Sequence, residues 1–290
     1  MFHSGELAAQ SLAGLTANSA AIRPFMPDQH REFFAMLRYL FIATADQRGW
    51  PVASVLAGAP GFVQSPDPTT LAIAARPAEG VAVDAEVGLL GLDLTNRRRN
   101  RANGRIASLY ERGFAVAVRQ SFGNCPQYIQ TRTPIPRAAS RGAAEQLAAL
   151  DDDAHRLIAG ADTFFVASRA RADVANGGLD MSHRGGRPGF VDIRDDTLVI
   201  PDFRGNRYFN TLGNFLGDPR AGLLFIDFAS GDLLQLQGTA VIDWHPDGAP
   251  GGAERLWRIR IERAWRRRGA FPFTSAFGAY APTTLATGTW

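Results

Sequence analysis

The chain of 290 residues has one cysteine, Cys125. That excludes an intrachain disulfide and any metal site built on several thiolates. No apolar run approaches the ~20 residues that span a bilayer as a helix. The opening Met1-Phe2-His3-Ser4-Gly5-Glu6-Leu7 lacks a basic stretch followed by an apolar core, so no secretory leader is read there and the cytoplasm is the default expectation. The five histidines show no metal-ligand spacing. No strand is followed by GxGxxG, and there is neither a Walker loop nor a G-x-S-x-G elbow. Lysine is also absent, so arginine supplies the positive charge. Its planar fork suits phosphate. The net charge of +3 is too modest to argue for nucleic acid.

What is present is globular: 46% hydrophobic and 20% charged residues, with 30 glycines and 17 prolines that imply many turns between short strands. The most informative stretch runs from Asp180 to Asp227. Thr197 to Pro201 reads as a strand. Arg204-Gly205-Asn206-Arg207 follows, and a helix is predicted from there through Phe209 and Leu212 to Leu216, ending before Asp218-Pro219. Backbone N–H groups at a helix start, with arginines beside them, make an anion site. Solvated arginines on an ordinary turn are the competing reading. Ala221 to Phe228 is a second apolar strand. Near the N-terminus, Glu6 to Leu15 and Asp28 to Leu40 read as helices capped by Ser4 and Asp28.

The chain repeats itself in order. Gly58-Ala59-Pro60-Gly61-Phe62-Val63 matches Gly186-Arg187-Pro188-Gly189-Phe190-Val191, roughly 128 positions later. Phe41-Ile42-Ala43-Thr44 matches Phe165-Val166-Ala167-Ser168, Thr70-Leu71 matches Thr197-Leu198, the segment from Gly88 matches that from Gly222, and Gly104 matches Gly238. Two copies of a β-rich unit follow, 1–142 and 143–290, joined by a helical segment from about Ala143 to Ile158. The first copy lacks the Gly-Asn-Arg segment and most of the helix after it. Arg97 to Gly104 reads as a strand with arginine on at least one face: either an exposed basic edge or a positive wall. Phe122-Gly123-Asn124-Cys125-Pro126-Gln127-Tyr128-Ile129-Gln130 reads as a loop whose Asn, Tyr and Gln side chains either line a pocket or only fix a crossing. Thr239 to Trp244 and an alternation through Trp257, Ile259, Ile261 and Trp265 supply later strands.

Strand, Gly-Asn-Arg, helix, Asp-Pro-Arg and apolar strand, together with Ser182-His183-Arg184-Gly185-Gly186-Arg187-Pro188-Gly189-Phe190-Val191, resemble the FMN-binding split β-barrel group related to pyridoxamine 5'-phosphate oxidase, over about residues 30 to 270. The resemblance implies a mainly β, tandem split β-barrel with FMN as cofactor. It implies about one FMN per chain, between two copies that take the place of the family's usual homodimer. The phosphate then falls to Arg204, Gly205, Asn206, Arg207 and Asn210, with Arg184 from the neighbouring strand. Ser182, His183 and one of Gln235 and Gln237 address the ring, and Arg98, Arg101 and the loop from Cys125 to Tyr128 close the pocket. For His183 taken alone, a plain hydrogen-bonded histidine is the rival reading. Asn206-Arg207-Tyr208 stands where the oxidase carries Ser-Arg-Lys, and its C-terminal pattern is missing, which speaks against vitamin B6 as substrate. The expected function is an oxidoreductase acting on an unidentified small molecule, with an unidentified electron donor. A flavin or haem carrier without catalysis and an enzyme using the deazaflavin F420 are the alternatives. The sequence leaves open whether the chain pairs further into a homodimer.

Overall fold

In a computed structural model of the chain, residues 2–16, 21–140, 142–171 and 173–290 are described. In chain order the first half carries α1 (Ser4–Leu12), α2 (Asp28–Met36), β1 (Tyr39–Ala45), β2 (Pro51–Ala57), β3 (Val63–Gln64), β4 (Thr70–Ile73), β5 (Glu86–Asp93), β6 (Arg98–Tyr110) and β7 (Gly113–Gly123). A connector holds β8 (Arg132–Pro136), β9 (Glu145–Leu147) and α3 (Asp152–Gly160). The second half carries β10 (Thr163–Arg169), β11 (Leu179–Gly185), β12 (Asp192–Arg194), β13 (Thr197–Phe203), α4 (Asn210–Gly217), β14 (Arg220–Ile226), β15 (Leu233–Asp243), β16 (Ala253–Arg267), β17 (Phe273–Phe277) and α5 (Pro282–Leu285). The chain is mainly β, as the sequence predicts.

The two large sheets run β2-β1-β5-β6-β7-β4-β3 and β11-β10-β14-β15-β16-β13-β12, the same order strand for strand. The sequence repeats fold alike down to single residues. Gly61 and Gly189 adopt φ of +88° and +85°, and each donates its N–H to a helix carbonyl, Ala35 and Ala159, at 2.8 Å. A side chain there would be strained. β6 and β15 each carry a bulge at the same place, just before Gly104 and Gly238.

Strand alternation explains the three cores. Leu40 and Ile42 face the core of the first half, Phe164 and Val166 that of the second. The residues between them, Phe41, Ala43, Phe165 and Ala167, form a third core along the seam. β1 and β10 are therefore buried on both faces and read as unbroken apolar runs. Phe41 stacks on Phe165 across the seam with centroids 3.6 Å apart.

Several predicted elements are corrected. The cap of α1 is His3, whose Nδ1 accepts from the Gly5 N–H at 3.1 Å, with the Glu6 carboxylate accepting from the His3 N–H at 2.8 Å. Asp28 lies inside α2 after Pro27 and pairs with Arg31 at 2.9 Å; α2 stops at Met36 because β1 begins at Tyr39. The connector is helical only from Asp152, capped by Asp151, after the short strand β9. α4 begins at Asn210: Arg207 and Phe209 both sit in left-handed backbone at φ +59°, so no helix passes through them.

Candidate functional site

A cavity opens where the two halves meet, between β6, the loop after β7, β11, the end of β13 and the first turn of α4. Five arginines line it, Arg99, Arg101, Arg184, Arg207 and Arg255, against one carboxylate, Asp202. Its free volume is about 90 Å³. That accommodates a phosphate-sized anion; a whole small-molecule ligand needs roughly 300 Å³ or more and must extend into the mouth.

β6 delivers Arg99 and Arg101 on one face. Arg101 is 7% exposed and binds Asp180 at 2.6 Å, Ser182 Oγ at 2.6 Å and Asn210 Oδ1 at 3.1 Å. It therefore clamps the first half to β11 and α4. Ser182 in turn donates to Asp180 at 3.2 Å and accepts from Thr211 at 2.9 Å. Behind this knot lies α1: the Asn210 amide donates to Glu6, and His3 Nε2 meets Asn214 Oδ1 at 2.9 Å. Burial pushes the Glu6 carboxyl up to about 7, against the pull of its hydrogen bonds to His3 and Asn210.

On the other wall Arg184 and Arg255 share Asp202 at 3.2 and 2.9 Å, and Arg255 and Arg207 share Glu254 at 2.6 and 3.2 Å. Arg184 lies over the Trp257 ring at 5.1 Å. Arg99 donates to His183 Nδ1 at 3.1 Å and reaches Cys125 Sγ at 3.7 Å; Cys125 donates to Gln127 at 3.4 Å. Tyr128 stacks on Phe203 and donates to the Arg204 carbonyl at 2.9 Å.

The electrostatics point one way. Burial first, then the charges of Arg99, Arg184 and Arg101, hold His183 well below its ordinary pKa, so the ring is neutral. Because Nδ1 accepts from Arg99, the ring proton sits on Nε2. That Nε2–H is buried without a partner, as are the Nε–H groups of Arg99, Arg101 and Arg184. Burial, followed by the repulsion of Arg101 and Arg184, lowers Arg99 to about 10 despite the help of Cys125. Residues lining the cavity thus carry four unpaired donors against one unpaired acceptor, Asn124 Oδ1, and with the excess of positive charge they favour an anionic guest.

Of the residues predicted from sequence, Ser182, His183, Arg184, Gly205, Asn206, Arg207, Asn210, Arg101, Cys125 and Tyr128 line the cavity. Three groups do not. Arg98 points to the opposite face of β6 and lies over Phe33 at 4.9 Å; strand parity puts Arg99, not Arg98, beside Arg101. The Arg204 side chain is exposed, and only its carbonyl takes part. Gln235 and Gln237 bind the β2 backbone, at Ala53 O (2.8 Å) and Pro51 O (3.1 Å), away from the cavity. Their register explains this. Gln235 pairs with Leu224 as Arg101 pairs with Leu90, and Gln237 with Gly222 as Asn103 with Gly88. They occupy the mirror position, where β15 meets β2. Asn124 and Gln127, of the loop read as possible pocket lining, also line it, whereas Arg99, Asp202 and Arg255 were missed. The parity of β6 signalled Arg99; Asp202 and Arg255 lie 53 positions apart and are joined only by the pairing of β13 with β16.

Residues 26–151 match a family model described as pyridoxamine 5'-phosphate oxidase. No curated protein sequence matches the chain. Among solved structures, the chain is similar to HupZ of Group A Streptococcus at 16% identity over 41% of this chain and 99% of that one, with a TM-score of 0.32. It is similar to General Stress Protein 26 from Bacillus anthracis at 12% identity, covering 43% and 95%, TM-score 0.28. A FAD-binding protein from Mesorhizobium loti aligns at 11% identity, covering 43% and 97%, TM-score 0.28.

Proposed function

We propose that the chain, whose residues 26–151 match a family model described as pyridoxamine 5'-phosphate oxidase, is a flavin-binding protein that holds FMN at the seam between its halves and acts as an oxidoreductase on a small molecule. The observation that carries this reading is the set of four buried, unpaired N–H donors of Arg99, Arg101, Arg184 and His183 around one cavity. A terminal monophosphate supplies the acceptors they lack, and a free volume of about 90 Å³ suits it better than the pyrophosphate and adenosine of a dinucleotide. The residues therefore fit the phosphate end, and the ring is assigned to the mouth, toward Cys125 and Gln127.

Bound there, the isoalloxazine supplies the electron transfer itself. The chain's own residues bind, orient and exclude water. Arg184 and Arg255, fixed by Asp202, offer charge to the phosphate. Neutral His183 donates from Nε2 without adding a titratable charge. The first turn of α4 contributes further backbone donors. The matching order of the two sheets and their shared bulges support reading the halves, 1–142 and 143–290, as copies of one unit that together replace a homodimer.

The test is reconstitution with FMN, FAD, riboflavin and F420, followed by titration. FMN is expected to bind at about one per chain and riboflavin far more weakly. Arg184→Ala should lose ~1.5–3 kcal/mol of FMN affinity, the range for a charged hydrogen bond. Equal affinity for riboflavin and FMN would remove the phosphate assignment. A bound flavin that no donor reduces would remove the oxidoreductase assignment and leave a carrier.

A further inference from the structure

The mirror position has been rebuilt into a different kind of pocket. On the flavin side β11 presents His183 and Arg184; at the same register β2 presents Val55 and Leu56. Arg101 is replaced by Gln235, which donates to Ser54 Oγ at 3.1 Å much as Arg101 donates to Ser182. A cavity of about 140 Å³ remains there, lined by Val52, Ala53, Leu223, Gln237, Arg263 and Trp265.

Two polar groups in its wall are unsatisfied, and their orientation is fixed. Gln237, 2% exposed, spends its Nε2 on Pro51 O at 3.1 Å and Asp46 at 3.3 Å. Its Oε1 is thereby turned the other way and has no partner. Arg263 is held by Asp46 at 3.3 Å and flanked by the rings of Trp50 and Trp265 at 5.2 and 5.6 Å. Its Nη2 is buried and also without a partner. Two residues of the wall thus carry one unpaired acceptor and one unpaired donor beside apolar surface.

We propose that this pocket is a second binding site, for a small neutral ring carrying a carboxamide or lactam edge. An N–H of such a guest satisfies Gln237 Oε1 and its carbonyl satisfies Arg263 Nη2. A carboxylate fits less well, because it has no donor for Gln237, while the lining charges, Asp46 and Glu79 against Arg263 and Arg267, balance and do not call for an anion. A nucleotide is too large for it. Ordered water is the alternative guest. The site stands independently of the flavin reading.

Benzamide is the probe, titrated by calorimetry into the purified chain supplied with FMN, with benzoate and toluene as comparisons and the flavin absorbance recorded on the same samples. The expected result is saturable benzamide binding near one per chain, with benzoate and toluene at least about tenfold weaker, the scale of one or two buried hydrogen bonds. Gln237→Leu should weaken benzamide by about tenfold and leave the flavin spectrum unchanged. Absence of saturable binding, equal binding of toluene, or unchanged affinity in Gln237→Leu would each overturn the proposal and leave water as the occupant. Should the variant fail to fold, the comparison of benzamide with benzoate on the unaltered chain still decides.

Discussion

Arg101 shows how one side chain serves both stability and the site. Its partner Asp180 is 4% exposed, so both charges have been taken out of water and are tolerable only as a pair. Arg101→Met leaves Asp180 charged and uncompensated. The expected loss is about 3–5 kcal/mol in urea unfolding, and adding Asp180→Asn should restore most of it. Glu6 makes a pH prediction. Its pKa is about 7 when folded, against an ordinary value of 4.5, so between these values the folded chain binds more protons than the unfolded one. Stability from this group is complete below pH 4.5 and is lost as pH rises through 7, by about 3 kcal/mol at most. Urea midpoints of the unaltered chain and Glu6→Gln, compared from pH 5 to 8, should show a falling component that the variant lacks. A parallel course would mean Glu6 is ionised in the folded chain throughout.

At the scale of elements, α1 and α4 touch backbone to backbone. A Cβ on Gly213 would come within 2.6 Å of Glu6 N and 2.7 Å of its Cα, and neither atom belongs to a flexible side chain. Gly213→Ala should therefore push α1 off α4, cost about 1–3 kcal/mol and speed proteolysis in the first 16 residues. Unchanged cleavage and stability would mean that α1 is not seated through this contact. Much of the element pattern was legible because it is local: apolar runs at Phe41 and Phe165, and the Pro-Gly-Phe-Val turns. The basic wall of β6 was legible in outline, but choosing Arg98 over Arg99 ignored the two-residue period. Helix starts were misjudged where a tertiary contact decides them. Arg207 and Phe209 carry no mark of left-handed backbone, and His3 caps α1 only because α4 fixes its ring. Asp202, Arg255 and Glu6 were out of reach, since their partners are set by sheet pairing and by the docking of α1.

The whole molecule is built of two halves with the same sheet order, whose two seams differ in chemistry. At each seam a glycine lets strands from opposite halves approach: a Cβ on Gly88 would lie 2.7 Å from Asp180 Cα, and one on Gly222 would lie 2.4 Å from Pro51 O. The two positions are equivalent in register. Steric cost alone makes them equivalent too, so Gly88→Ala and Gly222→Ala should each lose about 1–3 kcal/mol of stability. Their consequences for ligands should differ, because Asp180 is the anchor of Arg101 whereas Pro51 O holds Gln237. Gly88→Ala should weaken FMN by about tenfold, as expected for a mispositioned charged contact, and Gly222→Ala should leave FMN affinity unchanged. Fluorescence titration of both variants, below their unfolding transitions, measures this. Equal loss of affinity in the two would mean that flavin binding depends on the seam as a whole rather than on the side where the arginines remain.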